Sequence, residues 1–329
     1  MRYVINKKLN NLVFFGELCG IRNGDWTRER KKYWINISGG SLKAEEKNRI
    51  KYLATIFSSS DYEKIEIIFL SPQTFKIKSE IKKLLGIEKA KKIFDIINFF
   101  NARFERAWKT ESQNLSQVKK YIQKNSEKIL KAAEGIRVLT GARQAVKNFS
   151  NISLNLIASS HSKGDIIGWF STDDKKTKLV LECSYLPDIK TKNFLLAVIA
   201  HELFHLALRE KKDILKQIDY MAGKNKKLFN LFLTQENTPR IFEELIISSF
   251  TPEGIFLEKY FSEKIKYHPT MKKDVNGKIS YISTRRFLAN RLKIISSEYI
   301  KKNKKLDKKY FLNLIKEIKY GQRVKLAAH

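Results

Sequence analysis

The stretch FLLAVIAHELFHLAL, residues Phe194 to Leu208, is the most informative part of this sequence. Its first half is apolar all around a helix, which is typical of a helix buried against a sheet. Three ionisable residues then follow within five positions, His201, Glu202 and His205. The sequence therefore predicts a buried helix, from about Thr191 to Arg209, that carries polar groups into a core.

These three residues form the pattern HExxH. Histidines four positions apart lie on one face of a helix, where one Zn²⁺ ion can bind a nitrogen of each at about 2.0–2.1 Å. Glu202 is rotated by about 100° from His201, so it reaches a water on the metal rather than the metal itself. The alternative is a structural pair of histidines, which is disfavoured because two imidazoles and a carboxylate are costly to bury without compensation. We expect one zinc ion on His201 and His205, with Glu202 as general base.

Strand-like segments precede this helix. Residues 152–158 alternate between apolar and polar side chains, and residues 166–171 and 178–183 are separated by a turn-like run, which predicts a hairpin. Strands followed by AHELFHL resemble the zincin metallopeptidases over about residues 150–255. The resemblance implies a zinc-dependent peptidase in which a metal-activated water attacks the peptide bond, with Glu202 as general base. The AHELxH helix and the later glutamate helix are also loosely similar to ImmA/IrrE-like intracellular metallopeptidases.

The third ligand distinguishes the branches of the zincins. Metzincins have a glycine and a third histidine shortly after the second one, whereas Arg209 to Lys212 follow here. The resemblance therefore implies the gluzincin branch, in which a glutamate of a later helix completes the site. A helix predicted over Pro239 to Phe250 carries Glu243 and Glu244. On a helical wheel apolar side chains surround Glu243, so we expect Glu243 as the third ligand, with Glu244 as the alternative.

Other parts of a zincin site are less sharply indicated. Residues 164–172 are predicted to form the sheet edge on which an extended substrate pairs. Four residues after the glutamate helix are candidates to stabilise an oxyanion, and the sequence does not discriminate among Tyr260, Tyr267, His268 and Tyr281.

The predicted fold class is α+β and mainly helical. Residues 1–145 form a mostly helical N-terminal region with short strands, at Asn11 to Phe15 and Tyr33 to Ile37. Residues 146–329 form a zincin-like domain with a small sheet, the buried HExxH helix and a helical subdomain. The remaining helices are predicted over residues 44–57, several segments of 77–141, and 213–221, 226–233, 239–250, 285–301 and 307–319.

Charge is the most unusual feature of the composition, since 65 Lys and Arg face 34 Asp and Glu for a net charge of +31. Lysine dominates over arginine, which fits a solvated surface as well as a phosphate-binding one. The alternative to a peptidase is a basic nucleic-acid-associated protein with a structural or degenerate HExxH motif. The segment that best suits nucleic-acid binding is Arg22 to Trp34, in which basic and aromatic residues are interspersed. We do not favour it, and we expect a peptide or protein substrate, acidic where a basic rim attracts it.

The two cysteines, Cys19 and Cys183, lie far apart and suit neither a disulfide framework nor a thiolate metal cluster. No apolar run approaches the roughly 20 residues that span a bilayer. We therefore expect a cytoplasmic protein without a transmembrane segment.

Overall fold

The computed structural model describes residues 1–22, 27–71, 74–143, 151–158, 166–173, 176–183, 188–232, 237–264, 270–272 and 278–324. Within these ranges the chain is mainly helical with one small sheet, as the α+β prediction requires. None of the described helices is long and apolar enough to cross a membrane.

The chain divides into two compact units, and the first comprises Met1–Tyr121 and Ser150–Pro187. Its elements are β1 (Arg2–Ile5), α1 (Lys7–Cys19), α2 (Thr27–Ile37), α3 (Ala44–Ile56), α4 (Ser59–Phe69), α5 (Thr74–Leu85), α6 (Ile87–Phe99), α7 (Asn101–Lys124, which ends in the second unit), β2 (Ser153–Ala158), β3 (Ile167–Asp173) and β4 (Lys176–Cys183).

The sheet has the strand order β1-β2-β4-β3. Strand β2 is parallel to both β1 and β4, whereas β3 and β4 form an antiparallel hairpin in which Trp169 faces Val180. All three strands predicted before the HExxH helix are confirmed within two residues at each end. Strand β3 is at an edge of the sheet, as predicted for residues 164–172, of which the first two lie outside the described residues.

Two predicted strands near the N-terminus are wrong. Residues 11–15 belong to α1, where Leu12, Val13, Phe14 and Phe15 are all buried, and a short apolar run of this kind does not distinguish a buried helix from a strand. Residues 33–37 end α2. One strand, β1, does form near the N-terminus; it is only four residues long and was not predicted.

The second unit comprises Ile122–Phe149 and Asp188–His329. Its helices are α8 (Ser126–Thr140), α9 (Ile189–Glu210), α10 (Lys212–Lys224), α11 (Lys226–Phe229), α12 (Thr238–Ser248), α13 (Ile255–Phe261), α14 (Tyr281–Arg291), α15 (Lys293–Lys301) and α16 (Lys308–Val324). The boundary predicted from the sequence lies between residues 145 and 146, and this division differs from it. Because β1 pairs with β2, the sheet belongs to the first unit, and the HExxH helix α9 belongs to the second.

Helix α9 is the core of the second unit. Asp188 caps its start, three residues before the predicted cap, and every residue from Leu195 to Leu208 is buried. Helices α8, α10, α12 and α13 contact it. Phe204 lies 5.7 Å from the ring of Phe250 and 6.4 Å from that of Phe256, so the helix is surrounded by apolar side chains. The all-round burial is as the apolar sequence of α9 predicts, but the elements given above that surround it are helices of its own unit rather than the predicted sheet.

The first unit contains a buried ion cluster. The guanidinium of Arg22 binds the carboxylates of Glu17, Glu66 and Glu182, and Arg30 binds Glu17 at 3.0 Å. All five side chains are buried. The indole of Trp34 donates to Glu17 as well. The stretch from Arg22 to Trp34 therefore contributes Arg22, Arg30 and Trp34 to an interior network, where they cannot bind nucleic acid.

This cluster has three carboxylates and two guanidinium groups, so one carboxylate lacks a compensating charge. Burial, opposed by Arg22, raises the pKa of Glu66 from 4.5 to about 7. A folded-state pKa above the unfolded value means that stability present at low pH is lost as the pH rises through about 7, at about 1.4 kcal/mol per unit of difference.

We predict that Glu66→Gln removes most of this pH dependence, because glutamine needs no proton to be neutral. Thermal unfolding of the wild-type chain should move to lower temperature between pH 5 and pH 8, whereas the variant should show a distinctly smaller decrease. Glu63→Gln, an exposed change on the same helix, is the control and should behave as the wild type. Parallel pH profiles for all three proteins would show that Glu66 does not carry this proton.

Candidate metal centre

Helix α9 places the two motif histidines side by side. The rings of His201 and His205 lie 4.8 Å apart, and their Nε2 atoms are 3.1 Å apart. His205 is completely buried and His201 is 6% exposed. One helical turn separates the two residues, as the spacing of four predicts.

Helix α12 brings a carboxylate to the same point. Asn237 caps this helix by accepting a hydrogen bond from the backbone of Arg240, and a proline follows in the first turn. The carboxylate of Glu244 lies 3.0 Å from Nε2 of His201 and 2.9 Å from Nε2 of His205. His201, His205 and Glu244 thus offer three ligand atoms within 4.8 Å of one another, which makes them a candidate metal site.

The far side of each imidazole is also occupied. Nδ1 of His201 lies 2.9 Å from the backbone oxygen of Thr251, and Nδ1 of His205 lies 2.5 Å from a carboxylate oxygen of Glu243. In neutral imidazoles whose Nδ1 protons go to these acceptors, both Nε2 lone pairs are directed at the shared point with Glu244; Nη1 of Arg240 also lies 3.1 Å from Nδ1 of His205. Metal-binding histidines in proteins are generally held by such outer hydrogen bonds, which fix the tautomer and the ring orientation.

The carboxylate in the three-atom group is therefore Glu244 rather than Glu243. The helical wheel favoured Glu243 because apolar side chains surround it, but a wheel does not show which of two adjacent residues reaches a given histidine nitrogen. Both carboxylates reach His205 from opposite sides of its ring. The structure places Glu243 in contact with His205 as an orienting group, and the alternative residue, Glu244, at the shared point.

The site has a surplus of negative charge. Glu202, Glu243 and Glu244 carry three carboxylates, whereas one guanidinium, that of Arg240, lies 3.2 Å from Glu243 and 2.7 Å from Glu244. Two negative charges remain when the histidines are neutral. A divalent cation bound at the shared point would balance them, which removes most of the cost of burying the carboxylates.

The pKa directions show that the buried charges of this site stabilise one another. Burial alone would raise the pKa of Glu244, but His201 and His205 outweigh it and hold that pKa well below its ordinary value. Burial would lower the pKa of His205, yet the hydrogen bonds to Glu243 and Glu244 raise it to about 9. Burial raises the pKa of Glu202, against the opposing effect of His201.

The spacing of the donor atoms is compatible with a metal site. Ligands about 2.0–2.1 Å from a tetrahedral ion are about 3.3 Å from one another. The two Nε2 atoms are 3.1 Å apart, and each lies close to a different oxygen of Glu244, His201 at 3.0 Å from Oε2 and His205 at 2.9 Å from Oε1. Two imidazoles and one carboxylate are ligands that first-row divalent ions accept.

Among the four predicted oxyanion donors, Tyr281 is the one whose charge environment includes the site. It begins α14, which contacts α12, and after burial the largest influence that raises its pKa is Glu244. Within the described part of the chain its buried hydroxyl has no hydrogen-bond partner. Tyr260 instead packs edge-on against Phe256, at 4.9 Å. Tyr267 and His268 lie outside the described residues.

Sequence reasoning missed Arg240 and Thr251. Arg240 was detectable, since it stands three and four positions before the two glutamates, the spacing of ion pairs on a helix. Thr251 contributes a backbone oxygen, which its residue type does not reveal. Its hydroxyl also donates to the backbone oxygen of Ala197 at 2.7 Å, which ties the segment after α12 to α9.

Comparison of the chain with protein-family models, curated proteins and solved structures returned no match. Any functional assignment therefore depends on the geometry of the site.

The adjacent glutamates allow a matched test of which carboxylate is the ligand. Glu244→Ala should abolish stoichiometric binding of zinc, as should His201→Ala, because a third of the ligand set is removed. Glu243→Ala should retain the ion with an affinity about 10–100-fold lower, the usual effect of losing an outer hydrogen bond. Metal content after dialysis, and titration against a chromophoric chelator, measure both effects.

Glu298→Ala, which changes an exposed carboxylate, is the control for that experiment. Loss of the ion in Glu243→Ala together with its retention in Glu244→Ala would restore Glu243 as the ligand.

Proposed function

We propose that this protein is a zinc-dependent peptidase of the zincin type, with a gluzincin-like ligand set of His201, His205 and Glu244. One observation carries the proposal: both Nε2 atoms and the Glu244 carboxylate converge within 2.9–3.1 Å while both Nδ1 atoms are bonded elsewhere. We infer a cation at this point because neutral imidazoles that donate both Nδ1 protons outward would direct two Nε2 lone pairs at the Glu244 carboxylate.

A zinc ion held by these residues would supply Lewis-acid chemistry, lowering the pKa of a water toward about 7 and polarising a carbonyl. The surrounding residues set the geometry for it. Glu243 and the backbone of Thr251 orient the two imidazoles, and Arg240 holds both glutamates in place.

Glu202 is the proposed general base. It follows His201 directly on α9 and is 7% exposed, so it borders the ligand group without belonging to it. Burial raises the pKa of Glu202 above its ordinary value, the direction expected of a carboxyl group that both accepts and returns a proton. It would take a proton from the attacking water and deliver it to the leaving amine of the peptide.

Tyr281 is the proposed donor to the substrate oxygen that becomes negative. Burial, then Glu244, holds the pKa of Tyr281 well above its ordinary value, so the phenol stays protonated and can donate. Arg285, one turn later on α14, lies 5.8 Å from the centre of the Tyr281 ring and binds Glu253 at 3.0 Å, which positions the phenol. A fixed donor aimed at developing charge is worth about 2.7–4 kcal/mol in known oxyanion holes.

The proposed substrate is a peptide or protein, with a preference for acidic sequences that follows from the net charge of +31. A cytoplasmic location is part of the proposal. Cys19 and Cys183 are both free and buried, which suits a reducing compartment.

Replacing Glu202 tests the catalytic assignment. Glu202→Gln should keep one equivalent of zinc, because the residue is outside the ligand group, and should lower turnover of a peptide mixture by about 10²–10⁴-fold. Cleavage is followed by mass spectrometry of the products. Turnover at the wild-type rate would rule out the role given to Glu202, whereas loss of zinc would show that it is a ligand.

Replacing Tyr281 tests the donor. Tyr281→Phe should lower kcat by about 10²–10³-fold with little change in KM, because the hydrogen bond forms only as charge develops on the substrate. Tyr260→Phe is the matched control and should leave kcat unchanged. Equal effects of the two changes would argue against a specific role for Tyr281.

A further inference from the structure

A dense run of lysines lies at one ordered turn of the second unit. The turn joins α15 to α16 and spans residues 301–309, which we term the lysine turn. Six of its nine residues are lysines, and all six are exposed: Lys301, Lys302, Lys304, Lys305, Lys308 and Lys309. A lysine-rich composition alone would spread these charges, as it does on the other helices.

The lysine turn is held rigidly by the core beneath it. Leu306 is 4% exposed, and its backbone N–H donates to the carbonyl of Leu139 at the end of α8, at 2.7 Å. Asp307 accepts hydrogen bonds from the hydroxyl of Tyr299, at 2.7 Å, and from the backbone of Tyr310, at 2.9 Å. The lysines are therefore presented by a fixed backbone, and a partner would not have to order it on binding.

Few carboxylates offset this charge. Glu298 binds Lys302 at 2.8 Å and Lys304 at 3.4 Å, so one carboxylate serves two ammonium groups. Asp307 is engaged by the two tyrosine residues. Lys259 of α13 adds a further positive charge near the turn. Burial lowers the pKa of Lys259, and the charge of Lys301 lowers it further. Such repulsion destabilises the folded chain, so folding stability does not explain the cluster.

We propose that the lysine turn, with Lys259 beside it, is a docking surface for the phosphate backbone of a nucleic acid. Ammonium groups on flexible stems suit phosphates as point charges, and they release counterions on binding. An anionic membrane is the weaker candidate, because the apolar residue of the turn, Leu306, is buried and no side chain of residues 301–309 can insert into lipid. Tyr299 and Tyr310 are buried too, so bases have no aromatic surface there to stack on and the binding is independent of sequence.

The test compares two triple variants of the full chain that lose equal charge. Lys301, Lys305 and Lys309 are changed to Gln in the first, which leaves both ion pairs of Glu298 intact. In the control, the exposed Lys82, Lys83 and Lys91 of the first unit are changed to Gln. Binding of a fluorescent 20-base-pair duplex is followed by anisotropy as the salt concentration is varied.

We expect the first variant to bind the duplex at least tenfold more weakly at low salt. The slope of log K against log salt should become less steep by about two to three, since each lost phosphate contact contributes about 0.9. The control should bind within twofold of the wild type. Changing the same three residues of the turn to Arg should preserve binding, which also checks that the site tolerates substitution.

Three results would overturn the proposal. The wild type fails to bind the duplex at low salt, both Gln variants lose the same affinity, or phosphatidylserine vesicles bind through the turn while the duplex does not. None of these results depends on zinc or on peptide cleavage, so the docking surface and the peptidase proposal can fail separately.

Discussion

The contact between two buried imidazoles and two adjacent glutamates is the interaction on which the second unit depends. Glu244 lies between the Nε2 atoms of both histidines, and Glu243 engages the outer nitrogen of His205. These groups occupy a helix that is otherwise apolar, where an unpaired charge would be very costly. The packing of α9 against α12 follows from this contact, because neither helix could bury its polar residues without the other. A divalent cation bound there, as we propose, would balance the charge that Arg240 leaves.

The two units compensate their buried charges in different ways. In the first unit, Arg22 gathers three carboxylates in a closed network with Arg30, and the surplus negative charge is met by a proton. In the second, the surplus is two charges and converges on three ligand atoms. The first arrangement is a structural core, whereas the second has the donor set and the outer hydrogen bonds of a metal centre. Burial of ionisable groups therefore does not by itself indicate a site; the convergence of two imidazoles and a carboxylate makes the second cluster a candidate.

Much of the fold was predictable from the sequence where a periodic pattern was long. The helix α9, the three strands before it and the helix carrying the glutamates were placed within a few residues. Short apolar runs failed, as at Phe14 and Phe15, because four or five residues fit a helix and a strand equally well. The HExxH spacing brought His201 and His205 together correctly. The choice between Glu243 and Glu244 was beyond the sequence, since it depends on how α12 is rotated against α9. A backbone hydrogen-bond acceptor such as the carbonyl of Thr251 also leaves no trace in residue type.

We propose that His201, His205 and Glu244 hold one zinc ion in the folded chain. X-ray absorption at the zinc edge of the zinc-loaded protein tests it most directly, because the signal reports the atoms around the metal whether or not a substrate is known. We predict a shell of nitrogen and oxygen atoms at about 2.0–2.1 Å, with the outer-shell scattering of two imidazoles. A sulfur shell at about 2.3 Å, a single imidazole, or a fully hydrated ion that dialysis removes would contradict the account.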